Sequence, residues 1–250
     1  MSLKILSQNV MCWGVEGKSS FEMRRPLMER AVRGSGADII GFQEVTPVWK
    51  DYFDNDLSDF EHYLVYRSEK NPEGTPIYWN PSRVEMLECG HFWLSETPDV
   101  SSLGWDARCV RITCWALFKE LESGRELAFV NTHLDHVGMT AQVKGIEQIC
   151  AFIRQKLGKE MPLILTGDFN AQPDSKVIAV TNTLLKDART AAERTTDAMT
   201  FHGFGSCSPI IIDYIYLSEN IVCDSFEIVD VHDDKTVQSD HYGVLAQLNI

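Results

Sequence analysis

The sequence is short of basic residues. It has 23 Lys and Arg against 36 Asp and Glu, which gives a formal net charge of −13. Proteins that hold long nucleic acids through their phosphates need clusters of positive charge, so the composition argues against a sequence-independent duplex-binding protein. It leaves room for a small phosphorylated substrate or a short nucleic acid end, because a bound divalent cation can reverse the local field.

The sequence also lacks long apolar runs and paired cysteines. No apolar run approaches the roughly 20 residues needed to cross a bilayer. The first residues show none of the features of a secretory signal, although a signal that precedes this sequence is left open. Seven scattered cysteines, an odd number, include no Cys-x-x-Cys pair, which argues against a zinc ribbon or a thioredoxin-like motif. We therefore expect a reducing, cytoplasmic location, with no membrane partner and no obligate protein partner.

What the sequence does contain is a large apolar fraction, distributed in strand-like segments. With 44% hydrophobic residues in 250, a single domain over residues 1–250 can bury a large core. We predict strands at residues 4–10, 38–45, 62–67, 76–79, 84–94, 109–119, 126–133, 163–169, 211–217, 221–229 and 242–250.

Helices are predicted at fewer places. One precedes Gly158, where apolar residues recur at helical spacing: Val143, Ile146, Cys150, Ile153 and Leu157. A second begins near residues 20–26, with Pro26 in its first turn, and ends at Arg33 before Gly34. Residues 45–57 and 174–185 are further candidates. Because strands and helices do not alternate regularly, two packed sheets flanked by helices are favoured over a doubly wound sheet or a barrel.

Several predicted strands stop abruptly at polar or ionisable side chains. Strands end in this way at Asn9, Glu44, His133, Asp168 and Asn170, Asp213 lies inside an apolar strand, and Asp240 and His241 directly precede the last strand. A charge buried without a partner costs several kcal/mol, so a repeated pattern of this kind indicates that the groups converge or bind a metal.

Each residue taken alone also has a structural interpretation. Asn9 and Asn170 fit turns, Glu44 fits a solvated strand end, and a lone histidine is more often structural. Asp213 is the hardest to explain in this way, since isoleucines precede it and Tyr-Ile-Tyr follows. Together the set suits phosphoryl hydrolysis. Its oxygen ligands favour Mg²⁺ or Mn²⁺ over zinc, a carboxylate can orient water, and histidines can donate to phosphoryl oxygens.

Six short motifs in this order resemble the endonuclease/exonuclease/phosphatase superfamily, which has the deoxyribonuclease I-like fold. They are Ser7-Gln8-Asn9, Gly41-Phe42-Gln43-Glu44, Asn131-Thr132-His133-Leu134-Asp135-His136, Gly167-Asp168-Phe169-Asn170, Ile212-Asp213-Tyr214-Ile215 and Ser239-Asp240-His241. The stretch at residues 91–99, followed by Gly104-Trp105-Asp106, resembles a bacterial subgroup distantly similar to the catabolite-repressor-type deadenylases.

The resemblance implies an α+β fold, a four-layer α/β/β/α sandwich with its site at one edge of the two sheets. Asn9, Glu44 and Asp240 would surround the cation, Asp168 would activate the water, and Asn170 would hold the water or the phosphate. His241 would contact the phosphoryl group with Asp213 behind it. His133 would act from the other side, with Glu73 as its carboxylate partner. Because a neighbouring carboxylate favours the charged imidazolium, both histidines are expected to stay protonated above the ordinary pKa of about 6.5. Glu73 reads equally well as a solvated turn residue.

The sequence departs from the family pattern in places. Ser208-Pro209-Ile210-Ile211 stand where many relatives carry a basic residue before the Ile-Asp-Tyr-Ile motif, so a positive group near the substrate is expected to be missing. Asp135-His136 read as a supporting pair or as a polar loop. Trp105 could stack on a base or sugar, although packing into the core is favoured.

Three functions remain in competition. The first is hydrolysis of a phosphomonoester or small phosphodiester. The second is a 3′-end exonuclease or deadenylase-like nuclease acting on short single strands. The third, a non-catalytic binding protein on the same fold, ranks lowest because Glu44, Asp168 and His241 are all present.

Overall fold

The computed structural model describes residues 2–14, 17–158, 160–196 and 198–250. Within these ranges the strands are β1 (Ser2–Asn9), β2 (Ile39–Gln43), β3 (Glu61–Tyr63), β4 (Ile77–Trp79), β5 (Val84–Trp93), β6 (Ile112–Glu120), β7 (Glu126–His133), β8 (Leu163–Asp168), β9 (Lys186–Asp187), β10 (Arg194–Thr195), β11 (Asp213–Leu217), β12 (Val222–Val229) and β13 (Gly243–Asn249).

The helices are α1 (Phe21–Ser35), α2 (Pro47–Asp56), α3 (Met139–Phe152), α4 (Lys176–Thr181) and α5 (Ala188–Ala191). A π-helical turn, Ile153–Leu157, extends α3, and short 3₁₀ turns occupy Gly17–Ser19 and Gly203–Gly205. In the described part of the chain, no helix combines the length and apolar character that crossing a membrane requires.

The strands form two sheets. One has the order β10-β12-β13-β1-β2-β4-β3 and the other the order β5-β6-β7-β8-β11-β9. Each contains one long parallel pair near its centre, β1 with β2 and β7 with β8, among mostly antiparallel neighbours. The sheets pack face to face, and helices cover both outer faces. The predicted four-layer α/β/β/α sandwich is confirmed.

Three apolar cores fill the layers. The central core lies between the sheets and includes Ile5, Phe129 and Ala246. A second packs α1 and α2 onto the first sheet, and a third packs α3 and α4 onto the second. Since both faces of each sheet are covered, the strands need no polar face. Trp115 on β6 shows this, because its ring packs 5.5 Å from Phe152 of α3.

A buried polar network joins the two sheets just below the site. The Asn131 side chain on β7 donates to the carbonyls of Phe42 (2.7 Å) and Pro76 (2.9 Å), and it accepts from Gln43 Nε2 (2.8 Å). Gly41 permits this approach, since a Cβ there would fall 2.6 Å from Asn131 Oδ1. The network fixes the register in which the strand ends of both sheets meet.

Some predicted boundaries are wrong. Helix α1 runs past Gly34 to Ser35 and is capped by Gly36 at φ 62°, and Pro26 lies in its second turn. Buried contacts of the first turn, above all those of Arg24, outweigh the local preference of proline. The strand expected at 62–67 ends at Tyr63, and the one expected at 109–119 begins at Ile112.

Candidate active site

The predicted site residues meet at one cleft of about 440 Å³, at the edge where β1, β2, β7 and β8 end. Seven of them line it: Glu44, Glu73, His133, Asp168, Asn170, Asp240 and His241. The other two, Asn9 and Asp213, are buried behind and bond directly to these side chains. The register accounts for this convergence, because Asp168 pairs with His133 on one side and Asp213 on the other.

A chain of three ionisable groups runs through the centre of the cleft. His241 Nδ1 lies 2.9 Å from Asp213 Oδ2, and His241 Nε2 lies 3.7 Å from Asp168 Oδ2. Burial lowers the pKa of His241, but the Asp213 carboxylate outweighs it and raises that pKa to about 10. Burial and the nearby Asp213 raise the pKa of Asp168 to about 7. At neutral pH the ring of His241 is therefore an imidazolium held between two carboxyl groups.

His133 has the opposite charge state. Burial and the positive charges of Arg111 and Arg67 hold its pKa well below the ordinary value. Asn170 Nδ2 donates to Leu134 O (3.0 Å), which fixes the amide orientation, and the same nitrogen lies 3.1 Å from His133 Nε2. The neutral ring therefore accepts at Nε2 and carries its proton on Nδ1. The expectation that His133 stays protonated is wrong, because burial and the two arginines outweigh the nearby carboxyl groups of Asp168 and Glu73.

Oxygen-rich side chains gather on the first-sheet side of the cleft. Asn9 Nδ2 lies 3.2 Å from Glu44 Oε1 and 3.0 Å from Asp168 Oδ2. Burial and the neighbouring Glu44 raise the pKa of Asp240, so these carboxyl groups repel one another. A divalent cation would relieve that repulsion, and carboxylate and carboxamide oxygens are the ligands that Mg²⁺ and Mn²⁺ prefer. The donor set fits such an ion.

The backbone at two of these residues is unusual. Glu44 and Asn170 adopt positive φ values of 64° and 48°. Residues other than glycine avoid this region, at a cost of order 1–3 kcal/mol each, and such strain concentrates at functional sites. For Glu44, hydrogen bonds from Cys12 N (2.7 Å) and Asn9 hold the side chain in place. Burial raises its pKa, but these hydrogen bonds and the charge of His241 lower it more.

Comparison with known proteins identifies the family. The profile of the Endonuclease/Exonuclease/phosphatase family matches residues 25–241. The chain belongs to this family.

Similar proteins come from bacteria and from a virus. The endonuclease/exonuclease/phosphatase from Bacteroides vulgatus has a TM-score of 0.94 and 30% identity, with coverage of 100% of this chain and 99% of that one. The mannosyl-6-phosphatase Bt3783 of Bacteroides thetaiotaomicron VPI-5482 has a TM-score of 0.88 and 28% identity, covering 99% and 100%. Protein L388 of Acanthamoeba polyphaga mimivirus is 27% identical and covers 90% of this chain and 91% of its own. Members of this family hydrolyse phosphoester bonds, and the protein is a hydrolase of that class.

Two arginines that sequence reasoning missed also line the cleft. Arg67 and Arg111 are buried, line the cleft and meet at Glu73. Arg67 Nη1 lies 2.6 Å and Arg111 Nη1 lies 3.6 Å from Glu73 Oε1. The expected absence of a positive group is therefore wrong. The cations come from the segment before Glu73 and from the residue before β6, and not from the segment before Asp213.

Of the two interpretations offered for Glu73, the solvated turn residue is wrong. Its carboxylate is buried, so it is not a solvated turn residue. Glu73 Oε1 lies 3.9 Å from His133 Nδ1, close enough for an ion pair but too far for a hydrogen bond, and that nitrogen has no hydrogen-bond partner among the described residues. Burial and the neighbouring Glu44 raise the pKa of Glu73, opposed by Arg67 and Arg111. Glu73 thus holds the two guanidinium groups at the cleft wall.

Asp135 supports the loops around the cleft. Its two carboxylate oxygens accept four backbone N–H groups, from Arg108, Cys109, Val137 and Gly138, at 2.7–3.0 Å. Cys109, Asp135 and His136 lie close enough to share a metal ion. These hydrogen bonds already occupy the Asp135 oxygens, so we assign the residue to anchoring the loops. Of the two readings of Asp135-His136, the supporting pair describes the structure better.

The aromatic residue at the cleft is not the one that the sequence suggested. Trp105 is only half-buried, so the core interpretation is wrong, and it does not line the cleft. Trp13 does line the cleft and is 71% exposed. No strand-end pattern marks Trp13, because it lies in the loop after β1.

Proposed function

We propose that this protein is a phosphatase that hydrolyses a small phosphomonoester by attack of water, with Mg²⁺ or Mn²⁺ as its cofactor. The proposal rests on the observation that positively charged groups and a carboxyl group face one another in the same cleft. A charged His241 and a pair of arginines face a carboxyl group, Asp168, whose pKa is raised to about 7.

Each group has a part in the chemistry. Asp168 takes a proton from the water that attacks phosphorus, since a base with a pKa near the working pH is the most effective. The bond between phosphorus and the alcohol oxygen breaks, and His241 gives its proton to the departing oxygen. Asp168 then returns its proton to His241, 3.7 Å away. The net reaction consumes one water and releases one alcohol and one phosphate.

The remaining residues hold and orient. Asp213 keeps His241 charged and fixes its ring through Nδ1. Arg111 and Arg67 face the cleft and attract the phosphoryl oxygens. Asn170 fixes His133, whose neutral ring adds no further positive charge beside them. Asn9, Glu44 and Asp240 would hold the cation, which would polarise the phosphoryl oxygens and stabilise charge that develops on them.

The cleft suits a substrate with few phosphates. Of the described residues that line it, Arg67 and Arg111 carry the fixed positive charges, and Glu73 pairs with both. A long polyanion would find no row of lysines or arginines there, whereas one phosphoryl group would find two guanidinium groups. Similarity to a mannosyl-6-phosphatase supports a phosphorylated sugar as the substrate class. A short nucleic acid end remains the alternative partner.

We also propose a cytoplasmic location. All seven cysteines are free thiols, including the exposed Cys207. Unpaired thiols of this number are typical of proteins that fold in a reducing compartment. A fractionation experiment with an antibody against the protein would test this proposal, and recovery in a secreted fraction would contradict it.

Isotope labelling tests the reaction. Incubation with a hexose 6-phosphate and Mg²⁺ in ¹⁸O-water should place the label in the released phosphate, because water attacks phosphorus. Asp168→Asn should lower the rate roughly 10²–10⁴-fold, the usual range for a positioned base. Asp54→Asn, the same change at an exposed carboxylate of α2, is the matched control. Unlabelled phosphate, or equal rates in the two variants, would overturn the proposal.

A further inference from the structure

The loop after β1 is held rigidly from behind by a buried arginine. Arg24 of α1 is 0% exposed and donates to five backbone carbonyls: those of Ser19, Val10, Gln238, Met11 and Trp13, at 2.6–3.4 Å. Trp49 Nε1 adds a hydrogen bond to Met11 O (3.0 Å). On the cleft side, Cys12 N donates to Glu44 Oε2 at 2.7 Å. The backbone of residues 10–13 is therefore fixed from both sides.

The side chain that this loop presents is exposed. Among the six tryptophans of the chain, Trp49, Trp79 and Trp115 are buried, and Trp93 and Trp105 are half-buried. Trp13 is 71% exposed and lines the cleft. Its neighbour in sequence, Cys12, bonds to Glu44 and so lies against the carboxylates of the site. The Trp13 ring is attached to a fixed backbone beside the proposed catalytic residues, and most of its surface is exposed. These are the properties of a stacking surface.

We propose that Trp13 determines specificity by stacking on a ring in the non-reacting part of the substrate. This inference rests on the proposed phosphatase function and adds a substrate class to it, a phosphomonoester attached close to a ring with a flat face. The apolar C–H face of a sugar and the π face of a base share this chemistry. The arginines attract the phosphoryl group, and Trp13 selects what the phosphate is attached to.

The position of Trp13 makes this role compatible with catalysis. The loop is fixed before the substrate arrives, so little conformational entropy is lost from its backbone on binding. Trp13 lies four residues after Asn9, on the same loop that brings Cys12 to Glu44, so a ring stacked on it stays near the reacting phosphorus. An acyclic phosphomonoester would bind to the arginines alone and gain nothing from Trp13.

The experiment compares three phosphomonoesters: a hexose 6-phosphate, a nucleoside 5′-monophosphate and glycerol 3-phosphate. Trp13→Ala should raise the KM for at least one of the ring substrates about 10-fold, within the range measured for base–aromatic stacking. It should leave the KM for glycerol 3-phosphate unchanged. Trp13→Phe should restore most of the loss, and Trp105→Ala, a half-buried tryptophan away from the cleft, should change nothing. The ring substrate that responds identifies the source of the ring.

Several outcomes would overturn the inference. One is that Trp13→Ala raises the KM equally for glycerol 3-phosphate and for both ring substrates, which would indicate a structural role. Another is no loss on either ring substrate. If the wild-type protein hydrolyses none of the three, the proposed function fails, and calorimetric binding of the same compounds then tests Trp13 separately. Ring-selective binding that Trp13→Ala abolishes would support the inference, and binding without ring selectivity, or no binding, would refute it.

Discussion

Replacement of Glu73 by glutamine distinguishes two roles for this residue: holding Arg67 and Arg111 in place, or orienting His133. The structure makes Glu73 the partner of Arg67, at 2.6 Å with both side chains 7% exposed, and of Arg111 at 3.6 Å. Glu73→Gln keeps the shape and removes the charge, so the buried Arg67 loses its counter-ion and Arg111 keeps only Asp135, 3.9 Å from its Nε. Breaking a buried ion pair in this way costs about 3–5 kcal/mol in the free energy of unfolding.

The measurement is urea unfolding at pH 7, followed by tryptophan fluorescence. We expect the midpoint to fall with an unchanged slope, and the KM for a phosphomonoester to rise because the arginines lose their positions. Adding Arg67→Met to Glu73→Gln removes the unpaired charge and should recover part of the stability, with a coupling energy of at least about 1 kcal/mol. If instead Glu73 orients His133, Glu73→Gln would lower turnover at constant unfolding free energy and Arg67→Met would rescue nothing. That result would refute the assignment.

Three further predictions follow from the site. Exhaustive chelation should abolish hydrolysis, and Mg²⁺ or Mn²⁺ should restore it. The variant Glu44→Gln should need a higher metal concentration for the same activity. Full activity in the metal-free protein would contradict this prediction. In Asp213→Asn the pKa of His241 should drop from about 10 toward 6.5, because the carboxylate that raises it is gone. The alkaline limb of the rate profile should therefore move to lower pH, and an unmoved limb would count against the pair. The raised pKa of His241 also makes the stability depend on pH. The pair of His241 and Asp213 contributes its full share to the free energy of unfolding below pH 6.5 and loses it as the pH rises through about 10. The unfolding free energies of the wild type and of Asp213→Asn should therefore become equal above that pH. Finally, the two cleft arginines limit a single-stranded nucleic acid to about two phosphate contacts. The logarithm of its affinity should therefore fall with the logarithm of the salt concentration at a slope no steeper than about −1.4. A slope that implies six or more contacts would favour a nuclease.

Much of the site could be located from sequence because the chemistry is local to strand ends. An apolar strand that stops at a carboxylate or an amide is visible without knowledge of the fold, and Asp213 within its isoleucines and tyrosines is the clearest case. The resemblance to the family then implied that these strand ends meet at one edge of the two sheets. The strand-end pattern and the family motifs both consist of residues that lie in or next to a strand in the sequence.

The parts that sequence reasoning missed depend on contacts between distant segments. Arg111 meets Glu73 across 38 residues, and Arg67 reaches it through a turn, so neither arginine carries a pattern of its own. The pKa of His133 is lowered by burial and by those arginines, and a sequence-based expectation that considered only carboxylates gave the wrong direction. Trp13 lies in a loop whose conformation is set by Arg24 from another element. Helix α1 likewise tolerates Pro26 because tertiary contacts hold its first turn.

The proposed function requires that the cleft act on a small phosphomonoester and not on a nucleic acid strand. The most direct test measures kcat/KM side by side for a hexose 6-phosphate and for an end-labelled oligoadenylate, with the same enzyme, metal and salt concentration. We expect efficient release of phosphate from the sugar phosphate and a much lower kcat/KM for cleavage of the oligonucleotide. A higher kcat/KM for the oligoadenylate, with mononucleotides as products, would contradict it.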